Sequence, residues 1–225
     1  MVVSKFFSEA DRGAIAAAVA EAERRTTGEI VPVLAARSDR YERAEDAIGF
    51  GLSILAVSAA WLGFQAVRPS SEAWATEPDV ALGLTTLVVI LIAAWIGGIL
   101  LARAVPLLTR LAAGGATLRR RVQEAAADSF EQFHVRGTKG STGIVLYISL
   151  FERIVCVEAD RAISEKVDPA EWKSICDGLV RSMRDGRPRE GLVEAIGKCG
   201  DLLARHFPAS PSDVNELTND LRILD

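Results

Sequence analysis

Four carboxylates crowd one short stretch late in the chain: Glu158, Asp160, Glu165 and Asp168. An apolar run precedes them, so the pattern gathers them around a strand end and the loop that follows. Oxygens converging in this way bind a hard cation such as Ca2+ or Mg2+. The same groups can hold the ion and activate water for hydrolysis of a phosphate ester. Asp160, Glu158 and Glu165 are therefore the candidate metal ligands, and Ca2+ or Mg2+ is the only cofactor the residues suggest. A structural explanation competes at two positions. Asp168 stands before Pro169-Ala170-Glu171 as a helix N-cap, and Glu158 suits an exposed strand position.

Two basic groups carry other chemistry. His134, Arg136 and Lys139 could bind an anion, although cations also gather at a helix C-terminus for the dipole alone. Arg119, Arg120 and Arg121 follow the second apolar run closely and fit binding to a membrane surface. Nucleophilic and nucleotide chemistry find no support. The two histidines accompany no GxSxG, no GxGxxG is present, and 137–140 falls short of a phosphate-cradling GxxxxGK[ST]. Three cysteines, Cys156, Cys176 and Cys199, lack CxxC spacing and lie on apolar elements, as small buried hydrophobes do in a reducing compartment. A net charge of −4 argues against a nucleic-acid partner, which needs a basic face.

The elements that must position these groups divide around two uncharged apolar runs, 47–67 and 80–102. Each is about 20 residues long, enough to cross a hydrocarbon core of roughly 30 Å as a helix. The rest of the chain keeps a soluble composition. The reading is a transmembrane hairpin, with membrane lipid as a partner. Its first run begins too late for a signal peptide, and Met1 to Lys5 open no apolar h-region. Arg37, Arg40 and Arg43 precede the runs; Arg103, Arg110 and Arg119 to Arg121 follow them; the connecting loop has only Arg68. That asymmetry puts both termini in the cytoplasm, and hence an integral protein of the plasma (inner) membrane with two spans. Trp61 and Trp74 suit the outer interface. Ala59 with Gly63, Ala93 with Gly97 and Ala94 with Gly98 allow close helix approach.

Before the hairpin, Ser8 and Asp11 form a capping-box variant ahead of a helix from Glu9 to about Arg25, with Ile15, Val19 and Ala22 inward. EIVPVLA, from Glu29, reads as a strand, and Pro32 places it at an edge or beside a bulge. After the hairpin, Pro106 and Gly114-Gly115 interrupt the helix. A second amphipathic helix from about Leu118 to His134 turns Leu118, Val122, Ala125, Ser129 and Phe133 inward. GIVLYISL and RIVCVEAD then make two strands joined at Phe151-Glu152, with Glu152 and Arg153 paired near the turn. Two more helices start at Asp168-Pro169 and Pro188. PASPSD reads as a linker. The tail, with Leu217, Leu221 and Leu224 on one side, is either a short docking helix or disordered until a partner arrives.

The stretch GSTGIVLYISLFERIVCVEADRAI, preceded by SFEQFHVRGTKG, resembles the TPM-domain family. The early helix and TTGEIVPVLAARS resemble that family's first helix and strand. The similarity is strongest to bacterial membrane proteins with a hairpin inserted after the first strand. It implies a small TPM-like α/β sandwich interrupted by a two-helix transmembrane hairpin. Its domain parts are 1–46, the hairpin 47–105, the second part 106–207, and a linker and tail 208–225. Some members of the family are acid phosphatases and others are accessory proteins of membrane complexes. The phosphatase type carries an Asp-Asn-Gly turn and a Gly-Tyr-Gly-like segment where this chain has Ser141-Thr142-Gly143 and Glu158-Ala159-Asp160-Arg161. The expectation is a non-enzymatic module on the cytoplasmic face that binds a membrane protein or a cytoplasmic protein. The alternative is a metal-assisted acid phosphatase centred on Asp160.

Overall fold

The structure, a computed structural model, describes residues 6–66, 82–137, 140, 142–210 and 215–224. The loop with Arg68 and Trp74, and also Lys139, Ser141 and Val214, lie outside the described residues. The chain divides into two compact units, one of Met1–Asp39 with Leu118–Asp225 and one of Arg40–Thr117.

The first unit is built on a mixed four-stranded sheet in the order β3-β2-β1-β4. Its strands are β1 (Glu29–Ala35), β2 (Gly143–Ser149), β3 (Ile154–Ala159) and β4 (Arg222–Leu224). β1 runs parallel to both neighbours, and β2 and β3 form an antiparallel hairpin with Tyr147 opposite Cys156. Every residue of β1 and β2 is buried, because both faces of the sheet are covered. On one face Ile30, Leu34, Ile144, Leu146 and Ile148 pack against three helices, α1 (Glu9–Glu23), α7 (Pro169–Arg184) and α8 (Pro188–His206). On the other, Val31, Val33, Val145 and Tyr147 meet α5 (Gly115–Gln132).

Local chemistry explains these helices. Ser8 and Asp11 close a reciprocal capping box at the start of α1, and Ile15, Val19 and Ala22 are its buried stripe. Asp168 accepts the Ala170 N–H at 2.8 Å, Pro169 opens α7, and Gly186 in the left-handed region follows its end. On α5 the buried set is Leu118, Val122, Ala126, Ser129 and Phe130. Ala125 and Phe133, expected inward, lie half-buried at its flank, because the sheet meets the helix slightly to one side of the sequence stripe.

Three sequence expectations need correction. The tail is neither a docking helix nor free: it adds β4 to the sheet, with Leu221 in the core. The described part of the supposed linker is also held, since Pro208 bridges Thr26 and the Ala209 N–H donates to the Arg25 carbonyl. Glu152 turns inward instead of pairing with Arg153, accepting the Ser38 N–H at 2.9 Å and the Ser149 hydroxyl. Pro32, by contrast, sits where its missing donor costs nothing. The Glu29 N–H points to β2 and the Ala36 N–H to β4, so position 32 faces the β4 side. β4 begins only opposite Val33.

The second unit holds α2 (Glu42–Ala66), α3 (Leu84–Ala104) and α4 (Pro106–Ala113). α2 and α3 are long and apolar enough to cross a membrane. They approach most closely where a Cβ on Gly98 would lie 2.6 Å from the Gly49 Cα. Gly63 and Gly97 have open space instead, so only part of the small-residue pattern serves this pair. Near the same end, Arg103 Nε lies 2.8 Å from the Glu45 carboxylate, joining the two helices.

Candidate functional site

Asp160 directly follows β3 and caps α6 (Arg161–Ser164), accepting the Arg161 N–H at 2.7 Å through Oδ1. Its own N–H donates to the Gly143 carbonyl, which locks the residue to the sheet. Asp160 is only 6% exposed, and its Oδ2 is buried without a hydrogen-bond partner. The residue lines a cleft of about 580 Å³ together with Glu158, Glu165, Arg136 and Arg161. The three expected ligands thus share one cleft, yet they do not converge. Glu165 is engaged by Arg161 Nε at 2.8 Å. Burial raises the Glu158 carboxyl above its ordinary value, against the pull of Arg136. Among the described residues no three His, Cys, Asp or Glu side chains come together as a metal site. The donor set offers one well-oriented oxygen, which does not fit a cage for Ca2+ or Mg2+. Asp168 is apart from this cleft, occupied in capping α7.

The basic groups are similarly committed. Arg136 reaches Glu131 at 2.7 Å and also lies over the Phe130 ring. His134 has a left-handed backbone and places Nδ1 3.1 Å from the Glu131 carbonyl. On α5, Arg121 spans Asp39 at 3.0 Å and Glu124 at 2.9 Å, and Arg120 approaches Glu124 at 3.7 Å. Arg119 and Arg120 remain exposed. All three cysteines are free thiols, two of them buried, and burial pushes Cys156 up to about 12 and Cys176 up to about 11. Such thiols are inert at neutral pH.

A second acidic locus escaped the sequence reading. Glu23, in the last turn of α1, accepts the Ile30 N–H at 3.0 Å through Oε1. It takes the place that a longer β4 would fill on that side of β1. Beside it, Glu29 accepts the Glu216 N–H at 3.0 Å and so fixes the tail. Burial chiefly, and then Glu29, push the Glu23 carboxyl up to about 8 although the Ile30 bond opposes them. Two close carboxylates cannot both ionise cheaply, so the pair holds a proton near neutral pH. The cleft they line measures about 540 Å³ and also receives Arg24, Asn215 and Asn219. The available signal was an acid in the last turn of a helix, where the dipole prefers a cation.

Residues 111–202 match the TPM domain. The match runs from α4 into α8 and includes the β2–β3 hairpin and Asp160; α1, β1 and β4 contribute to the same unit from outside it. The fold is also similar to the NMR structure of BA42 protein from the psychrophilic bacterium Bizionia argentinensis. The two are 18% identical, with a TM-score of 0.56 over 98% of this chain and 97% of that one. At that identity the likeness concerns the fold alone. No curated protein matches the sequence.

Proposed function

We propose that the protein is a membrane-anchored TPM-domain module serving as a non-enzymatic accessory on the cytoplasmic face, with a membrane protein or cytoplasmic protein as partner. The observation that carries this reading is the outward apolar surface of α2 and α3. Phe50, Leu55, Leu62 and Leu84 are each more than half exposed. In water such a surface is an association hazard; in lipid it is the favoured state. The arginine asymmetry supports cytoplasmic termini, and exposed Arg119 and Arg120 suit anionic headgroups at about 1 kcal/mol each. The engagement of Asp160 Oδ1 and Glu165 within the fold favours an accessory role over catalysis. The tail is taken up by the sheet, so the partner surface lies elsewhere.

Alkaline extraction tests the anchor: the protein should stay in the membrane pellet, and its release overturns the reading. Thiol labelling of intact cells tests orientation. Ser71→Cys should label from outside and Glu9→Cys only after lysis; the reverse pattern inverts the topology. A metal-assisted phosphatase centred on Asp160 is the competing reading, favoured by its buried, unpartnered Oδ2. Purified protein given p-nitrophenyl phosphate with Mg2+ or Ca2+ should show no turnover. Metal-dependent turnover that Asp160→Asn abolishes would replace the accessory role with an enzyme.

A further inference from the structure

A cleft of about 390 Å³ opens where the β2–β3 hairpin meets α7, far from Asp160 in the sheet register. Its volume lies within the range of small-molecule sites, about 300–1,000 Å³. Ile148 and Val155 form its buried floor, and Phe6, Leu150, Val180 and Met183 its half-buried walls. Two guanidinium groups, Arg153 and Arg184, stand at this largely apolar cleft, which Ser149 also lines, and both are exposed. Among the described residues, neither has a carboxylate partner. Elsewhere on the same unit, arginines commonly pair, as Arg121, Arg136, Arg161, Arg189 and Arg205 do.

Arg153 also occupies a costly backbone position. It closes the hairpin with φ 58°, in the left-handed region where glycine is the unstrained choice. A left-handed position at the end of a hairpin loop ordinarily carries glycine or asparagine. Here the strained position delivers a guanidinium to the cleft, and the neighbouring Glu152, which could neutralise it, is turned inward to Ser38 and Ser149. Strain kept at a site lined by unneutralised charge is a mark of a ligand-facing residue.

We infer that this cleft binds a single-chain amphiphile with an anionic head, of the fatty-acid type. The chain would lie against Ile148, Val155 and Met183, and the carboxylate would take charge-assisted hydrogen bonds from Arg153 and Arg184. Apolar walls with a few placed polar groups are what such a ligand requires. Charge complementarity selects the head, and the walls select the tail.

The chain has two methionines, Met1 and Met183. Methyl-13C-methionine NMR on the full protein in bicelles therefore reads the cleft through one assigned signal. Titration with decanoate should shift the Met183 methyl saturably, while decyltrimethylammonium should leave it in place. Arg153→Gly and Arg184→Gln should each weaken decanoate binding by about tenfold, the loss expected for one charge-assisted hydrogen bond. Arg153→Gly should hold or raise Tm, since it relieves the left-handed strain; a fall in Tm would make Arg153 a packing residue and overturn the assignment. A shift produced equally by the cationic amphiphile, or unchanged in both variants, would also overturn it. A peptide with a free C-terminal leucine that shifts Met183 more strongly than decanoate would replace the fatty-acid occupant.

Discussion

Glu23 and Glu29 face each other across the turn that joins α1 to β1, and burial together with Glu29 pushes the Glu23 carboxyl up. Each carboxylate also accepts a backbone N–H, Glu23 from Ile30 and Glu29 from Glu216, so the pair ties the helix, the central strand and the tail together. Glu23 titrates at about 8 in the folded chain against an ordinary 4.5, with Glu29 and Arg24 the charged groups beside it. Between those two values the folded state holds a proton that the unfolded chain has released. The stabilisation is therefore complete below 4.5 and is lost as pH rises towards about 8. The slope approaches about 1.4 kcal/mol per pH unit. Glu23→Gln keeps an acceptor for Ile30 and gains a donor for Glu29. Tm of the detergent-solubilised protein should fall from pH 5.5 to 8.5 in the wild type, and this part of the fall should vanish in Glu23→Gln. Parallel pH profiles would refute the raised Glu23 carboxyl.

The sheet's outer edge gives a second prediction. β4 is three residues long, yet it covers the upper half of β1 through Val33, Leu34 and Ala35, and the Leu224 carbonyl accepts the Ala36 N–H at 2.9 Å. Removing residues 221–225 withdraws Leu221 from the core and leaves β1 as an unpaired edge that is apolar from Ile30 to Ala35. Such edges pair with other chains. The truncated protein should lose roughly 2–4 kcal/mol of stability, as for other deleted core leucines, and should elute from size exclusion as larger species. A monodisperse truncation with unchanged Tm would show that β4 is dispensable.

These two features also mark where the sequence stopped being legible. The stripes Ile15, Val19, Ala22 on α1 and Leu192, Ile196, Cys199, Leu203 on α8 are plain, because each repeats at helical spacing over several turns. The alternation in β2 was plain as well, with Ile144, Leu146 and Ile148 on one face and Val145 and Tyr147 on the other. β4 carries no such signal: three residues cannot show a period, and its partner lies at the opposite end of the chain. The apolar stripe of Leu217, Leu221 and Leu224 suggested a helix, whereas an extended segment buries Leu221 on one core and packs Leu217 and Leu224 on the other. Glu158, Asp160 and Glu165, close in sequence, line one cleft in the structure. Their failure to converge follows from partners that adjacency conceals, since Arg161 takes Glu165 and the helix N-terminus takes Asp160 Oδ1.

A third prediction concerns the strand that organises the sheet. Gly143 opens β2, and a Cβ there would stand 2.9 Å from the Val135 carbonyl oxygen and closer still to the Val135 side chain. A backbone atom cannot yield as a flexible side chain would. Gly143→Ala should therefore displace the turn before β2 and cost about 1–3 kcal/mol, the usual penalty of overpacking. Gly13→Ala, with open space around it on an α1 helix interior, is the matched control and should stabilise by up to about 1 kcal/mol. Urea denaturation of both variants checks the contrast. Equal behaviour would mean that the close approach at Val135 does not constrain the fold.

The last prediction separates two glycines one residue apart on α3. A Cβ at Gly98 would collide with the Gly49 Cα at 2.6 Å, while a Cβ at Gly97 meets nothing within 4 Å. Gly98 is buried at the crossing of α2 and α3, and the three nearest atoms on α2 are all backbone atoms. Gly98→Leu must therefore push the helices apart or rotate one of them, which loses the packing that holds small-residue crossings together. The Glu45–Arg103 pair would then have to stretch from its 2.8 Å. Disulfide trapping between Ser53→Cys and Ala94→Cys offers a direct reading of the crossing. Its efficiency should drop several-fold in Gly98→Leu and stay at the parent level in Gly97→Leu. If Gly97→Leu alone disrupted a larger assembly on native gels while trapping persisted, that glycine would be serving contacts between copies and not the crossing within one chain. Equal loss in both variants would place the crossing elsewhere on these helices.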